Sequence, residues 1–222
     1  VTDVSNIQFA FKHVLVSVTV VGTEITSLLP VFCEKLDPFL VWPTKEEWRS
    51  MLGVWTKLPV AVGAVYGSSH RIYRPRVEPQ KLYYSGHRHF HCLYTQVVCD
   101  AYVTIRYIES GYADHLNDAQ QIGLMQKLGT DLIFPEMLIG DKIYPNRSPV
   151  LTPYTSAQIA CKPLVERRKC RKFNSLNRKY RIRVEHAIAN LKTYKSVGSL
   201  WSHPMNMLSC TVRVCASLVC TC

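Results

Sequence analysis

The sequence predicts an α/β protein in which a mixed β-sheet is flanked by helices. Three observations carry that expectation. A short, wholly apolar run, Val60 to Val65, has the composition of a strand buried on both faces. Two further strand-like runs, His89 to Asp100 and Tyr102 to Glu109, are joined by a link too short for anything but a hairpin. A helical period then appears at Ile122, Met125 and Leu128, followed by a second short apolar run, Met137 to Gly140, and a long helical stretch. The order strand, strand, strand, helix, strand, then helices is that of a mixed sheet with helices packed on it.

Before residue 40 the pattern is ambiguous: Phe9 to Val21 is β-branched and suits strand or helix, and Leu28 to Leu40 is apolar but holds two prolines. Thr44 is a good N-cap, with Glu46 and Glu47 in the first turn and Trp48, Leu52 and Trp55 at near-helical spacing. Gly53 and Pro59 punctuate its end. The Val60 to Val65 strand is expected to stop at Gly67-Ser68-Ser69, leaving Tyr66 at its carboxyl end, where α/β sheets tend to carry chemistry. His70 to Tyr73 is then expected to return antiparallel, and Pro75 and Pro79 mark a loop. After the hairpin, Gly111 breaks the pattern, and Leu116-Asn117-Asp118 opens a helix that Gly129 ends. Met137 to Ile139 makes a strand ending at Asp141. Val150 to Tyr154 suits an edge strand, because Pro153 would be awkward in a central one.

With 222 residues and 47% hydrophobic content, the chain suffices for one domain with a substantial core, and disorder is excluded. A formal net charge of +11 suggests an anionic partner, nucleic acid first; a basic protein without one is the plain alternative. Nine cysteines without zinc-finger spacing behave as small apolar residues and favour a reducing compartment, nucleus or cytosol. Neither Val14 to Phe32, which holds Glu24, nor Met205 to Cys222, which holds Arg213, is long and clean enough for a membrane span. No cleavable leader is read, and a start at Val1 rather than Met suggests a piece of a longer product.

The charge collects near the end. Residues 162 to 195 hold twelve Lys or Arg against Glu166 and Glu185, a net of +10. Arg167, Arg168, Lys169, Arg171, Lys172, Arg178 and Arg181 are the candidate contacts to a DNA backbone, and such contacts make binding salt-sensitive. The same run suits a nuclear-import signal. Tyr180, Val184, Ile188 and Leu191 form an apolar stripe within it, and Glu185 borders that stripe. Taken alone, Glu185 is equally a salt-bridge partner for Arg181 one turn earlier, and Asp141 is equally a turn or cap residue. His87, His89 and His91 alternate as on one strand face, but they lack the four-ligand spacing of structural zinc.

Six stretches in order carry a family resemblance: GAVYGSSHRIYRP (Gly63 to Pro75), SGHRHFHCLYTQVVCD (Ser85 to Asp100), GYADHLNDAQQ (Gly111 to Gln121), LIGDKIYP (Leu138 to Pro145), LTPY (Leu151 to Tyr154) and FNSLNRKYRIRVEHAIANLK (Phe173 to Lys192). Together they resemble the transposase-derived nucleases of PIF/Harbinger type, in the DDE superfamily. The resemblance implies an RNase H-like sheet flanked by helices, DNA as substrate, and three carboxylates that gather two Mg²⁺ or Mn²⁺ ions. It implies catalytic and metal-binding roles for Asp141 and Glu185, a further metal ligand in Asp118, and a weaker candidate in Asp100. It further implies a nuclear location, work with a separate DNA-binding partner protein, and no membrane. Its span suggests a nuclease domain over 59–200, preceded by a partial helical region at 1–58 and followed by a packing helix at 201–222.

One departure stands out. Where the family has its first Asp, this chain has Tyr66. A phenol stays neutral at pH 7 and is a poor ligand for a hard cation. Loss of a central ligand is expected to remove several kcal/mol of transition-state stabilisation, about 10³-fold or more in rate. Two functions therefore stand: a metal-dependent DNA endonuclease impaired at Tyr66, or a non-catalytic relic that binds DNA or protein.

Overall fold

The computed structural model describes residues 18–76, 79–113, 124, 128, 132, 135–144 and 148–220. Its first helix is α1 (Val18–Leu36), which contains Pro30 and leads into a single 3₁₀ turn, Asp37–Phe39. Helix α2 (Lys45–Ser50) starts as expected: the Thr44 side chain accepts from the Glu47 N–H, and Glu47 reaches back to the Thr44 N–H. It is shorter than its apolar spacing suggests: Trp48 is buried from the helix, but Trp55 is buried from the turns that follow it.

Strand β1 (Ala61–Arg71) is the centre of the sheet. It pairs antiparallel with β3 (Phe90–Asp100) and parallel with β5 (Met137–Ile139). Strand β4 (Ile105–Ala113) pairs antiparallel with β3, and β6 (Val150–Leu151) lies parallel to β5 at the edge. The two-residue β2 (Tyr84–Ser85) pairs with the start of β3. This is a mixed sheet of three antiparallel strands followed by two parallel ones, and helices flank it. The fold class is the expected one.

Two local expectations fail, for one reason. Gly67-Ser68-Ser69 does not turn, and His70 to Tyr73 does not return; β1 continues to Arg71, paired residue by residue from Gly63 opposite Asp100 to Arg71 opposite Cys92. Composition at 67–69 favours a turn, but an eleven-residue partner strand on one side supplies a ladder that holds the backbone extended. Gly67 serves a different purpose: a Cβ there would fall 1.1 Å from the Tyr94 hydroxyl. The tyrosine ring lies across the strand where any side chain would stand. At Gly111, β4 likewise continues instead of breaking, with φ of +105° and a register shift between Tyr94 and Thr95 that mark a bulge.

His87 and His89 lie in the β2–β3 turn and only His91 is on a strand, so the three do not share a face. The opening of the expected helix at 116–118 lies outside the described residues. Leu124 and Leu128 are helical and fully buried.

After a short α3 (Ser156–Ala160), helix α4 runs for 28 residues (Leu164–Leu191). Its buried positions Val184, Ala187, Ile188 and Leu191 lay the expected stripe on the sheet. Tyr180 stacks on Trp55 with ring centroids 4.9 Å apart and planes within 7°. A small helix, α5 (Lys195–Gly198), and α6 (Met207–Cys220) close the fold, with the Arg213 guanidinium donating to Asp37 at 2.9 Å. Trp48, Trp55, the β1, β3 and β5 cores, and apolar residues of α4 and α6 belong to one hydrophobic cluster. No described helix is long and apolar enough to cross a membrane.

His70, near the end of β1, is 2% exposed, and its Nδ1 donates to the Val197 carbonyl at 3.0 Å. Because a carbonyl only accepts, Nδ1 holds the proton, and Nε2 is buried with no hydrogen-bond partner among the described residues. Burial, with the Lys192 ammonium adding to it, lowers the imidazole to about 4 from its usual 6.5. The unfolded chain takes up this proton first as pH falls. The stability tied to neutral His70 is therefore complete above about pH 6.5 and lost as pH drops toward 4, up to about 3 kcal/mol. Urea melts at pH 7.5 and 4.5 should show the wild type losing more stability than His70→Asn; equal losses in the two would contradict this account.

Candidate functional site

Three of the positions singled out in the sequence meet. Ala64 of β1 pairs with Ile139 of β5, so Tyr66 and Asp141, each two residues further on, sit level with one another. Tyr66 is consequently mid-strand in β1 rather than at its end, and Asp141 is just past the end of β5. Glu185 arrives from α4. Between them lies the Arg181 guanidinium. Its Nη1 is 2.9 Å from Asp141 Oδ1, its Nε is 3.3 Å from Glu185 Oε1, and its Cζ stands 5.5 Å from the Tyr66 ring centroid.

One cation thus touches both carboxylates and the Tyr66 ring. The Nε contact lacks hydrogen-bond alignment, so Coulomb attraction rather than a directed bond holds that side. The Arg181, Asp141 and Glu185 side chains are 20%, 24% and 40% exposed, which puts each pair in the range of about 0.2–1 kcal/mol. The ring contact adds a similar amount, about 0.5–1 kcal/mol. These contacts orient the groups more than they stabilise the fold.

Neighbouring residues set the geometry. Asp141 Oδ1 also accepts from the Lys142 N–H at 2.6 Å, which keeps the carboxylate turned back on its own loop. That loop is tied to the sheet by the buried Gln96, whose Nε2 donates to the Tyr144 hydroxyl at 2.9 Å. Helix α4 is fastened beside β6 by two asparagines. Asn174 brackets Tyr154, donating to its carbonyl at 2.8 Å and accepting from its N–H at 2.9 Å. Asn177, 1% exposed, donates to the Leu151 carbonyl at 3.1 Å. Arg181 follows one turn later. Sequence reasoning missed both asparagines and Gln96. Two Asn within four residues of a helix are a detectable signal, since Asn disfavours helix interiors unless its side chain has a task.

Asp100 is not part of this cluster. Fully buried at the end of β3, it accepts from the Tyr102 and Thr104 N–H groups at 2.8 and 3.0 Å and from Arg106 Nε at 2.7 Å. It holds the β3–β4 hairpin together. Asp118 lies outside the described residues.

The basic residues of α4 divide into groups. Arg168, Lys169, Arg171, Lys172 and Arg178 are exposed. Arg167 is half-buried and donates to the carbonyls of Lys162 at 2.7 Å and Ala160 at 2.8 Å, so it closes the end of α3. Arg181 is committed to the carboxylates. A cleft of about 360 Å³ opens beside it, lined by Arg171, Asn174, Asn177, Arg178 and Arg181 among others. Arg171 and Arg178 make no ion pair among the described residues.

Because Asn177 is buried, truncating it strands the Leu151 carbonyl. Asn177→Ala should lower stability by about 1–3 kcal/mol in urea melts, whereas exposed Arg178→Ala should change it by less than about 0.5 kcal/mol. A similar small effect at both positions would mean that the clamp does not hold α4.

A family model described as DDE superfamily endonuclease matches residues 65–219. Neither the curated proteins nor the solved structures contain a match to this chain. Endonucleases of this superfamily generally depend on a divalent metal. The groups at the site do not fit one: both carboxylates are drawn onto Arg181, and the neighbouring Tyr66 ring lies under the same guanidinium. Among the described residues no three His, Cys, Asp or Glu side chains are placed to share an ion. Arg181 offsets one of the two carboxylate charges, so the cluster as it stands offers a divalent ion a formal charge of only −1. The matched span takes in the central strand from Val65 onward, the Asp141 loop and all of α4, and with 155 of 222 residues covered the chain belongs to the DDE superfamily endonuclease family.

Proposed function

We propose that the chain is a transposase-derived DNA-binding domain of PIF/Harbinger type in which metal-dependent strand cleavage is impaired at Tyr66. The observation that carries this reading is the closed cluster itself. Asp141 and Glu185, read as the catalytic pair, share the Arg181 guanidinium, which also lies over the Tyr66 ring. Two-metal hydrolysis needs anionic oxygens that bridge two ions about 3.5–4 Å apart. A neutral phenol supplies none at pH 7.

DNA binding draws on a different part of the same helix. Arg168, Lys169, Arg171, Lys172 and Arg178 are exposed, and the cleft between Arg171 and Arg178 offers donors to a phosphate without disturbing the core. Phosphate contacts of this kind position a duplex but do not read its sequence. Target choice therefore falls to another domain or to a separate DNA-binding partner. A nuclear location agrees with such a role, and the ERRKCRK run (Glu166 to Lys172) has the composition of an import signal.

Two measurements test the reading. Supercoiled plasmid in Mg²⁺ or Mn²⁺ should remain uncut by the wild type; robust nicking that vanishes in Asp141→Ala would sink the proposed impairment. Fluorescence anisotropy on a duplex should show binding that weakens steeply with salt. Replacing Arg168, Lys169, Arg171, Lys172 and Arg178 by Ala should flatten the log–log salt slope by about 1 for each phosphate no longer neutralised. An unchanged slope would remove α4 from the DNA interface.

A further inference from the structure

We infer that Arg181 is a resident cation that takes the place of a divalent metal, so that the Asp141–Glu185 pair becomes a metal site only when Arg181 is neutralised. This inference rests on the reading above only in treating Tyr66, Asp141 and Glu185 as one site; it makes a separate claim about what now occupies their charge.

The geometry is specific to this side chain. Arg181 is four residues before Glu185 on α4, so the two lie on one helix face, and the guanidinium extends from there to the Asp141 loop. The guanidinium lies over the Tyr66 ring, whose π-electrons favour a cation. An aspartate at 66 offers a charge but no such face. The tyrosine therefore removes a ligand from any metal and at the same time supplies a seat for the competing guanidinium.

Charge counting makes the consequence testable. As the protein stands, two carboxylates and one guanidinium give the cluster a net charge of −1. Arg181→Gln or Tyr66→Asp alone makes it about −2, and both together make it about −3, and attraction for a divalent cation rises in that order. The two single changes differ in kind, however. Tyr66→Asp leaves the guanidinium in place with a third carboxylate to pair with. Arg181→Gln instead frees two carboxylates already positioned by the Lys142 N–H, the Gln96–Tyr144 bond and the α4 clamp.

The experiment is Mn²⁺ binding to the full chain by isothermal titration calorimetry, without DNA, so that its result is independent of nicking and of duplex affinity. The wild type should give no saturable heat with Mn²⁺ in the micromolar range. Arg181→Gln should bind at least about tenfold more tightly than the wild type, and Arg181→Gln with Tyr66→Asp should bind more tightly again. Adding Asp141→Asn to that double variant should abolish the gain, which ties the ion to this cluster. Thermal melts check that each variant folds, and Arg181→Met provides a second neutral replacement if the glutamine variant does not. Saturable micromolar Mn²⁺ binding by the wild type would overturn the inference, as would neutral replacements at 181 that leave Mn²⁺ affinity unchanged. Loss of DNA binding with the Mn²⁺ series intact would instead overturn the proposed function and leave Arg181 as assigned.

Discussion

Strand β1 is paired along both edges for part of its length and along its β3 edge for nearly all of it. That pairing decides where everything else stands. Gly63 lets the Cys99 carbonyl approach to a distance no side chain would allow, since a Cβ there would lie 2.3 Å from it. Gly67 gives way to the Tyr94 ring in the same manner. With β1 held straight, the short β5 can register against its first half, and the chain that leaves β5 brings Asp141 level with Tyr66. The candidate site is a product of this register.

Helix α4 supplies the other side and works in two halves. Its C-terminal half is core: Val184, Ala187, Ile188 and Leu191 lie on the sheet, and Lys192 just beyond it donates to the Ser69 carbonyl at 3.2 Å. Of the first nine residues of α4 only Cys170 is buried, so most of the basic side chains there remain in water. The asparagine clamp lies between the halves. One continuous helix can therefore hold Glu185 against the sheet and present arginines to an anionic partner about two turns away. The same rigid element links the carboxylate cluster to the basic face, which is the arrangement a nuclease scaffold needs and one that a DNA-binding descendant can keep.

Arg181 sits where these two properties meet. It belongs to the basic run by composition and to the carboxylate cluster by contact. Its individual pairs are weak because all three partners are partly exposed, but they act together on one planar group. A cation held by two acids and a ring leaves little unbalanced negative charge for an incoming ion. The Tyr66 ring and the guanidinium are thus coupled, because the ring's π-face favours the cation that the two acids hold.

Much of this was legible in the residues alone. Apolar runs of five or six residues mark buried strands, the Thr44–Glu47 capping box marks a helix start, and the Tyr180–Leu191 stripe marks a packed helix, because each depends on local periodicity or local hydrogen bonding. Motif order singled out Tyr66, Asp141 and Glu185, and all three stand against one guanidinium. Outcomes decided by distant partners were not legible in this way. Gly67-Ser68-Ser69 has the composition of a turn, yet it is strand because β3 pairs with it from a distant part of the chain. Asp100 looks like a candidate acid from its place at a strand end, yet two N–H groups and Arg106 engage it in a hairpin. Arg181 looks like one basic residue among twelve, and only the docking of α4 aims it at Asp141, 40 residues away in sequence. Local pattern was enough to establish the layers of the fold. Which charge faces which was settled in three dimensions, because a side chain's partner depends on strand register and helix docking that no local pattern encodes.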